Sequence, residues 1–336
     1  MPSGAARRPE QGAVWAGLLV LYFVWGSTYI GIAIAVDSIP PFFMAAIRFG
    51  VAGLILFGWS WLRAGRRAIT PTRREWRDSL IVGGLLLGGG MGMVAFGQQT
   101  IPAGIAAVLI AMLPLWIAVL GRLFLGERLP RLAVIGIVVG FIGVAVLVGP
   151  TVTGSAGSLE PLGLAAIILS PISWATGSLF ASHRANLPRL PLVASGAQMV
   201  TGAAILTVMG IVTGEAARFN PTSIAGDSLA ALAYLTVIGS LVGFSVYGWL
   251  LRSAPLPLVA TYAYVNPVVA VILGAIVLRE TVEPRTLVAG AVIVGAVALI
   301  VTARGRMHAP EPRPDAREWK PAVTPDNAVV APGQGR

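Results

Sequence analysis

Apolar residues fill this chain in long blocks, and polar residues gather in short breaks between them. No residue between Glu10 and Asp37 is charged, and a helix needs about 20 apolar residues to cross a membrane. The block follows Arg7 and Arg8, as a leader peptide would. Its apolar part is too long for that, and no convincing small-residue cleavage site follows. It reads as a retained span over residues 14–36. Pro40 to Leu62 forms a second, interrupted only by Arg48. Ser79 to Gly121 is charge-free for 43 residues, enough for two crossings. Gln98-Gln99-Thr100-Ile101-Pro102-Ala103-Gly104 supplies the polar and Pro/Gly break that divides it. Residues 132–149 make the fifth span, and five more follow at 161–182, 192–213, 227–250, 257–278 and 286–303. The pattern predicts an all-α membrane protein of ten transmembrane helices.

The two halves repeat. Trp25 and Trp174 lie 149 positions apart, as do Gly53 and Gly202. Further on the offset is 153, pairing Gly90 with Gly243, Pro102 with Pro255, Ala107 with Ala260, Pro114 with Pro267, Gly121 with Gly274 and Glu127 with Glu280. A chance match in an apolar, glycine-rich sequence would not hold six pairs at one offset, prolines and glutamates among them. Each half carries five spans, an odd number, so the second copy must insert upside down. The expected organisation is two inverted five-helix repeats, over 14–149 and 161–303. Such repeats, with a solute site between them near the midplane, mark secondary transporters.

Composition narrows the class further. Charged residues are 11% and hydrophobic ones 56%, against roughly 25% charged in soluble domains. A soluble enzyme or nucleic-acid binder is a poor fit, and the net charge of +10 has another cause. With the N-terminus inside, 19 of the 24 Lys and Arg residues fall in inside segments, the bias that orients membrane proteins. The expectation is a multi-pass protein of the inner or plasma membrane with both termini cytoplasmic. Pro150 to Glu160, rich in Gly, Ser and Thr, reads as an external linker. Residues 304–336 read as a flexible cytoplasmic tail. There is no cysteine, and only His183 and His308 could offer imidazole. No metal, cofactor or enzymatic activity is expected, and no glycine-rich phosphate loop suggests ATP-driven pumping.

Three stretches carry a family resemblance: Val24-Trp25-Gly26-Ser27-Thr28-Tyr29, Ala46-Ile47-Arg48-Phe49, and Tyr262-Ala263-Tyr264-Val265-Asn266-Pro267-Val268. From about Ala13 to Ala303 the chain resembles the EamA family of the drug/metabolite transporter superfamily. The resemblance implies a ten-helix inverted-repeat fold and export of small organic metabolites or drugs across the inner membrane. It names no solute. A channel-like passive facilitator is the alternative, and would need a continuous ring of matching polar groups that the sequence does not display.

Trp25, Thr28, Tyr29 and Ile32 share one stripe of the first helix, and Ser170, Ser173, Trp174 and Gly177 share the matching stripe of the sixth. Ser240, Phe244 and Tyr247 align on the eighth, and Tyr262 and Asn266 on the ninth. A cavity lined by helices one, six, eight and nine would gather these rings, hydroxyls and amide around a solute. Packing between helices and anchoring at the interfaces are the competing roles. Arg48 lies eight residues past Pro40, about 12 Å into the layer at the helical rise. Its guanidinium either receives an anionic solute group or ties two helices together. Pro114 and Pro267 are expected to bend their helices, as static kinks or as hinges for gating. Glu127 and Glu280 are expected to favour the N-terminus of the helix that follows each. Gly84, Gly88, Gly92, Gly136 and Gly140 form small-xxx-small steps for close helix approach. The same steps would serve a homodimer, and the sequence does not choose. No Asp or Glu falls mid-span, so no proton-coupling carboxylate can be named.

Overall fold

The computed structural model describes residues 11–64, 70–127, 129–152, 160–254, 256–259 and 261–307. Residues 153–159 of the expected linker and the tail from 308 lie outside that set. In chain order the helices are α1 (Gln11–Val36), α2 (Pro41–Ala64), α3 (Arg73–Gly97), α4 (Ala103–Leu125) and α5 (Arg131–Val152). The second half gives α6 (Pro161–His183), α7 (Pro191–Val212), α8 (Gly226–Tyr234, continuing to Ser253), α9 (Tyr262–Val277) and α10 (Pro284–Met307). Among the described residues eight helices are long and apolar enough to cross a membrane, and Arg131–Leu147 and Val265–Val277 are shorter apolar helices.

Several edges move from their expected places for local reasons. α3 starts at Arg73 rather than near Ser79, because Thr72 and Glu75 form a reciprocal cap. The Thr72 N–H donates to Glu75 Oε2 at 2.7 Å and the Glu75 N–H to Thr72 Oγ1 at 3.3 Å, satisfying two otherwise unpaired groups. α6 starts where Glu160 accepts from the N–H groups of Leu162 and Gly163. α10 runs to Met307, past the expected boundary at 303.

α4 is two segments, Ala103–Ile110 and Leu113–Leu125, separated by a turn at Ala111 and Met112. Pro114 therefore stands at the start of the second segment and not inside a continuous helix. There its missing N–H costs nothing, since the first-turn donors have no helical partner. Pro267 does lie inside α9, where it leaves the Ala263 carbonyl without its usual donor.

The packing crosses between the halves. α2 lies on α7 and α5 on α10, while α1 packs on α8 and α9 as α6 packs on α3 and α4. Small residues set the closest approach: a Cβ on Gly83 of α3 would fall 2.4 Å from the Gln198 carbonyl oxygen of α7. Outward faces are as apolar as inward ones. On α1, Leu18 and Leu21 are fully buried while Trp15, Leu19 and Phe23 are exposed.

Two carboxylates also bind across the halves. Glu280 accepts from the N–H groups of Ala103 (2.7 Å) and Gly104 (3.1 Å). It does cap a helix, but α4 of the first half rather than the helix that follows it. Buried Glu215, in the turn after α7, accepts from the N–H groups of Phe42 and Phe43 at the start of α2. Burial pushes its carboxyl above the ordinary value, and the two N–H groups only partly offset that. The folded state thus holds this proton more firmly than the unfolded chain. Stability tied to Glu215 is fully present below the ordinary carboxylate pKa and is lost as pH rises through the elevated one. Glu215→Gln should flatten that fall in thermal midpoint as pH rises above the ordinary carboxylate pKa. An unchanged profile in detergent-solubilised protein would refute the assignment.

Candidate functional site

Where the two halves meet, α1, α2, α3, α4, α6, α8 and α9 line a cavity of about 110 Å³. Seven of the nine expected solute-facing residues line it: Trp25, Thr28, Tyr29, Arg48, Trp174, Tyr262 and Asn266. Ser173 and Tyr247 stand outside the lining. The Ser173 hydroxyl donates to the Leu85 carbonyl of α3 at 2.8 Å. Tyr247 instead backs the wall, with its ring 5.1 Å from that of Trp25 and 5.9 Å from that of Tyr262. Helices two, three and four join the expected one, six, eight and nine through Phe49, Met91, Val94, Ile110 and Leu113. These are ordinary apolar residues in an apolar chain, with no signal to single them out. Pro267 lines a smaller adjoining cavity of about 40 Å³, with Ile110 and Ala263.

Trp25 is the centre of an aromatic cluster. Tyr262 meets it edge-on at 4.9 Å and Phe244 at 5.8 Å, each pair worth about 0.5–1.5 kcal/mol beyond burial alone. The Thr28 hydroxyl donates to the Trp25 carbonyl at 2.6 Å and so is already occupied. Gln98, buried in the expected break after α3, donates to the Tyr29 carbonyl at 2.9 Å and holds that wall in place.

Both tryptophans lie against a glycine of the opposite half. A Cβ on Gly243 would fall 2.5 Å from Trp25 Nε1, and one on Gly90 2.9 Å from Trp174 Cε3. Gly90 lies in a π-helical stretch of α3 (Gly84–Gly92), and Gly243 directly follows the corresponding π-helical stretch of α8 (Leu235–Val242). Such stretches widen the turn and are frequent at functional sites.

Arg48 is 3% exposed and is the one charged residue of the lining. Its Nε donates to Ser240 Oγ in the π-helical stretch of α8 at 2.9 Å, and its guanidinium carbon sits 4.8 Å from the Phe49 ring centre. Among the described residues no carboxylate pairs with it; Asp78 pairs with Arg77 and Glu283 with Arg285.

A bundle of apolar helices around an aromatic-lined cavity, carried by two similar halves, is a multi-pass membrane protein built around a central site. Comparison with known proteins is consistent with this. The profile of the EamA-like transporter family matches residues 11–149 and again 161–302. The "Uncharacterized inner membrane transporter YedA" of Escherichia coli (strain K12) is 37% identical over 290 residues, 85% of this chain and 90% of its own length. The "Probable amino-acid metabolite efflux pump" of Salmonella typhimurium is 26% identical over 292 residues, 82% and 90% of the two chains. A solved crystal structure at 19% identity shares the fold, with a TM-score of 0.61 over 87% of this chain and 99% of its own. The chain belongs to the EamA-like transporter family, with one family domain in each half. It is a membrane transporter.

Proposed function

We propose that this transporter is a secondary carrier of the inner membrane, exporting small organic metabolites or drugs by alternating access around the central cavity. The proposed frame is ten spans in two inverted repeats, with both termini cytoplasmic. The protein acts without enzymatic chemistry or cofactor. Its partners are a small solute and the lipid bilayer, not nucleic acid.

The observation that carries this reading is the reciprocal pair of contacts, Trp25 on Gly243 and Trp174 on Gly90. Each half sets a tryptophan against a glycine that lies in, or directly after, a π-helical stretch of the other. That two-fold symmetry suits repeats that rock against each other around a fixed site. The helix pairings α2–α7 and α5–α10 support the same symmetry. The nine expected residues take the solute roles, Tyr247 and Ser173 by bracing the wall. The break before Pro114 and the proline at 267 act as hinges.

Orientation is tested directly, since the chain has no cysteine of its own. A membrane-impermeant thiol reagent should label Thr222→Cys in intact cells and Arg74→Cys only after lysis. Labelling of Arg74→Cys from outside would overturn the topology. For function, spent medium from cells with and without the chain should differ in one or a few solutes. Vesicles loaded with such a solute should then show saturable flux that accelerates when unlabelled solute is on the far side. Flux that never saturates and shows no acceleration would identify a channel-like facilitator instead.

A further inference from the structure

The cavity wall carries one charge and nothing that neutralises it. Of the five N–H donors of the Arg48 guanidinium, one is spent on Ser240, and no carboxylate among the described residues faces the rest. Two acids at the ends of neighbouring elements are engaged elsewhere: Glu215 on the first turn of α2, Glu280 on the first turn of α4. A buried cation left in this condition is among the costliest groups a membrane helix can hold. Asn266, 8% exposed, adds a second unmet demand. Its Oδ1 is buried without a partner, and its side chain makes no hydrogen bond among the described residues. The rest of the lining is dominated by rings and aliphatic groups.

Resting on the carrier reading above, we propose that the solute is a small organic monocarboxylate bearing a hydroxyl and an apolar, ring-sized body. The carboxylate takes the free edge of Arg48, and one negative charge leaves the loaded cavity neutral. A phosphate dianion would leave it charged. A zwitterion would place an ammonium beside Arg48 with no lining carboxylate to receive it. The hydroxyl both donates and accepts, so it satisfies the Asn266 amide whichever end faces it. A ring-sized body fits the space, which at about 110 Å³ is of the order of the roughly 150 Å³ cavity that holds one benzene.

Four probes with one ring and differing charge test this on the full-length protein: mandelate, phenylacetate, phenylglycine and benzylamine. Binding is read as thermal stabilisation in detergent, and transport as counterflow in vesicles. Mandelate should bind at least about tenfold more tightly than phenylglycine or benzylamine. Arg48→Gln should abolish that preference, and Asn266→Leu should erase the advantage of mandelate over phenylacetate. Should either variant fail to fold, the ranking of the four probes on the unaltered protein decides alone. Benzylamine binding as tightly as mandelate, no mandelate binding at millimolar concentration, or a mandelate preference that survives in folded Arg48→Gln would overturn the proposal. Saturable counterflow of benzylamine without that of mandelate would sink the solute class and leave the carrier standing. Mandelate binding that never yields counterflow would do the reverse.

Discussion

Arg48→Met is expected to cut transport at least about tenfold, the effect of losing roughly 1.4 kcal/mol at the limiting step, while leaving the protein as stable as before or more so. The two outcomes are linked. A guanidinium held inside the bundle costs at least about 2.5–3.5 kcal/mol, and Arg48 recovers part of that from one hydrogen bond to Ser240 and the Phe49 face. An apolar side chain of similar length removes the cost and fills the space. A residue kept only to tie α2 to α8 would show the opposite: a lowered thermal midpoint, with transport falling in proportion to folded protein. Arg48→Lys should restore part of the flux, because the charge returns but the planar fork does not. Normal flux in correctly inserted Arg48→Met would remove the functional role.

Gly243→Ala is expected to be nearly as damaging, through geometry alone. The added methyl would lie 2.5 Å from Trp25 Nε1, well inside contact distance, and forcing such overlap costs about 1–3 kcal/mol. Trp25 cannot retreat easily, since Tyr247 and Tyr262 pack on it at 5.1 and 4.9 Å. Transport should fall about tenfold or more. Trp25→Phe should recover part of it in the double variant, because the smaller ring lacks the pyrrole edge that collides. Gly90→Ala should behave alike through Trp174, with a milder deficit to match its longer 2.9 Å approach. Rescue of one pair but not the other would break the two-fold argument. Equal loss in single and double variants would show that the glycine acts on something other than the ring.

Much of this architecture was legible in the sequence because a membrane forces it to be. Long charge-free runs, the Pro/Gly break at Gln98–Gly104 and the paired offsets 149 and 153 fixed where helices lie and that the halves match. The aromatic stripe of α1 was also readable, since Trp25, Thr28 and Tyr29 fall on one face at helical spacing. Some features were not. Glu280 was expected to cap its own neighbour, and only the crossing of the halves places α4 of the other repeat beneath it. Pro114 was expected inside a helix, because sequence gives no sign that Ala111 and Met112 form a turn. Asp78, buried against Asn186, was hidden by its place in a basic segment.

The sequence alone thus determined that this is a membrane protein of two similar halves, that its helices carry aromatic and polar stripes, and that Arg48 must face protein. Those follow from the cost of charge and unpaired backbone in lipid, which acts on every residue separately. Only the tertiary structure decided which faces turn inward. In water a helix buries its apolar side and shows its polar one, so pattern reveals burial. Here Trp15, Leu19 and Phe23 face outward and Leu18 and Leu21 inward on the same helix, all apolar. With lipid outside and protein inside equally welcoming to such side chains, the choice falls to packing between helices: the fit of a tryptophan over a glycine, and a cavity that gathers residues from seven helices.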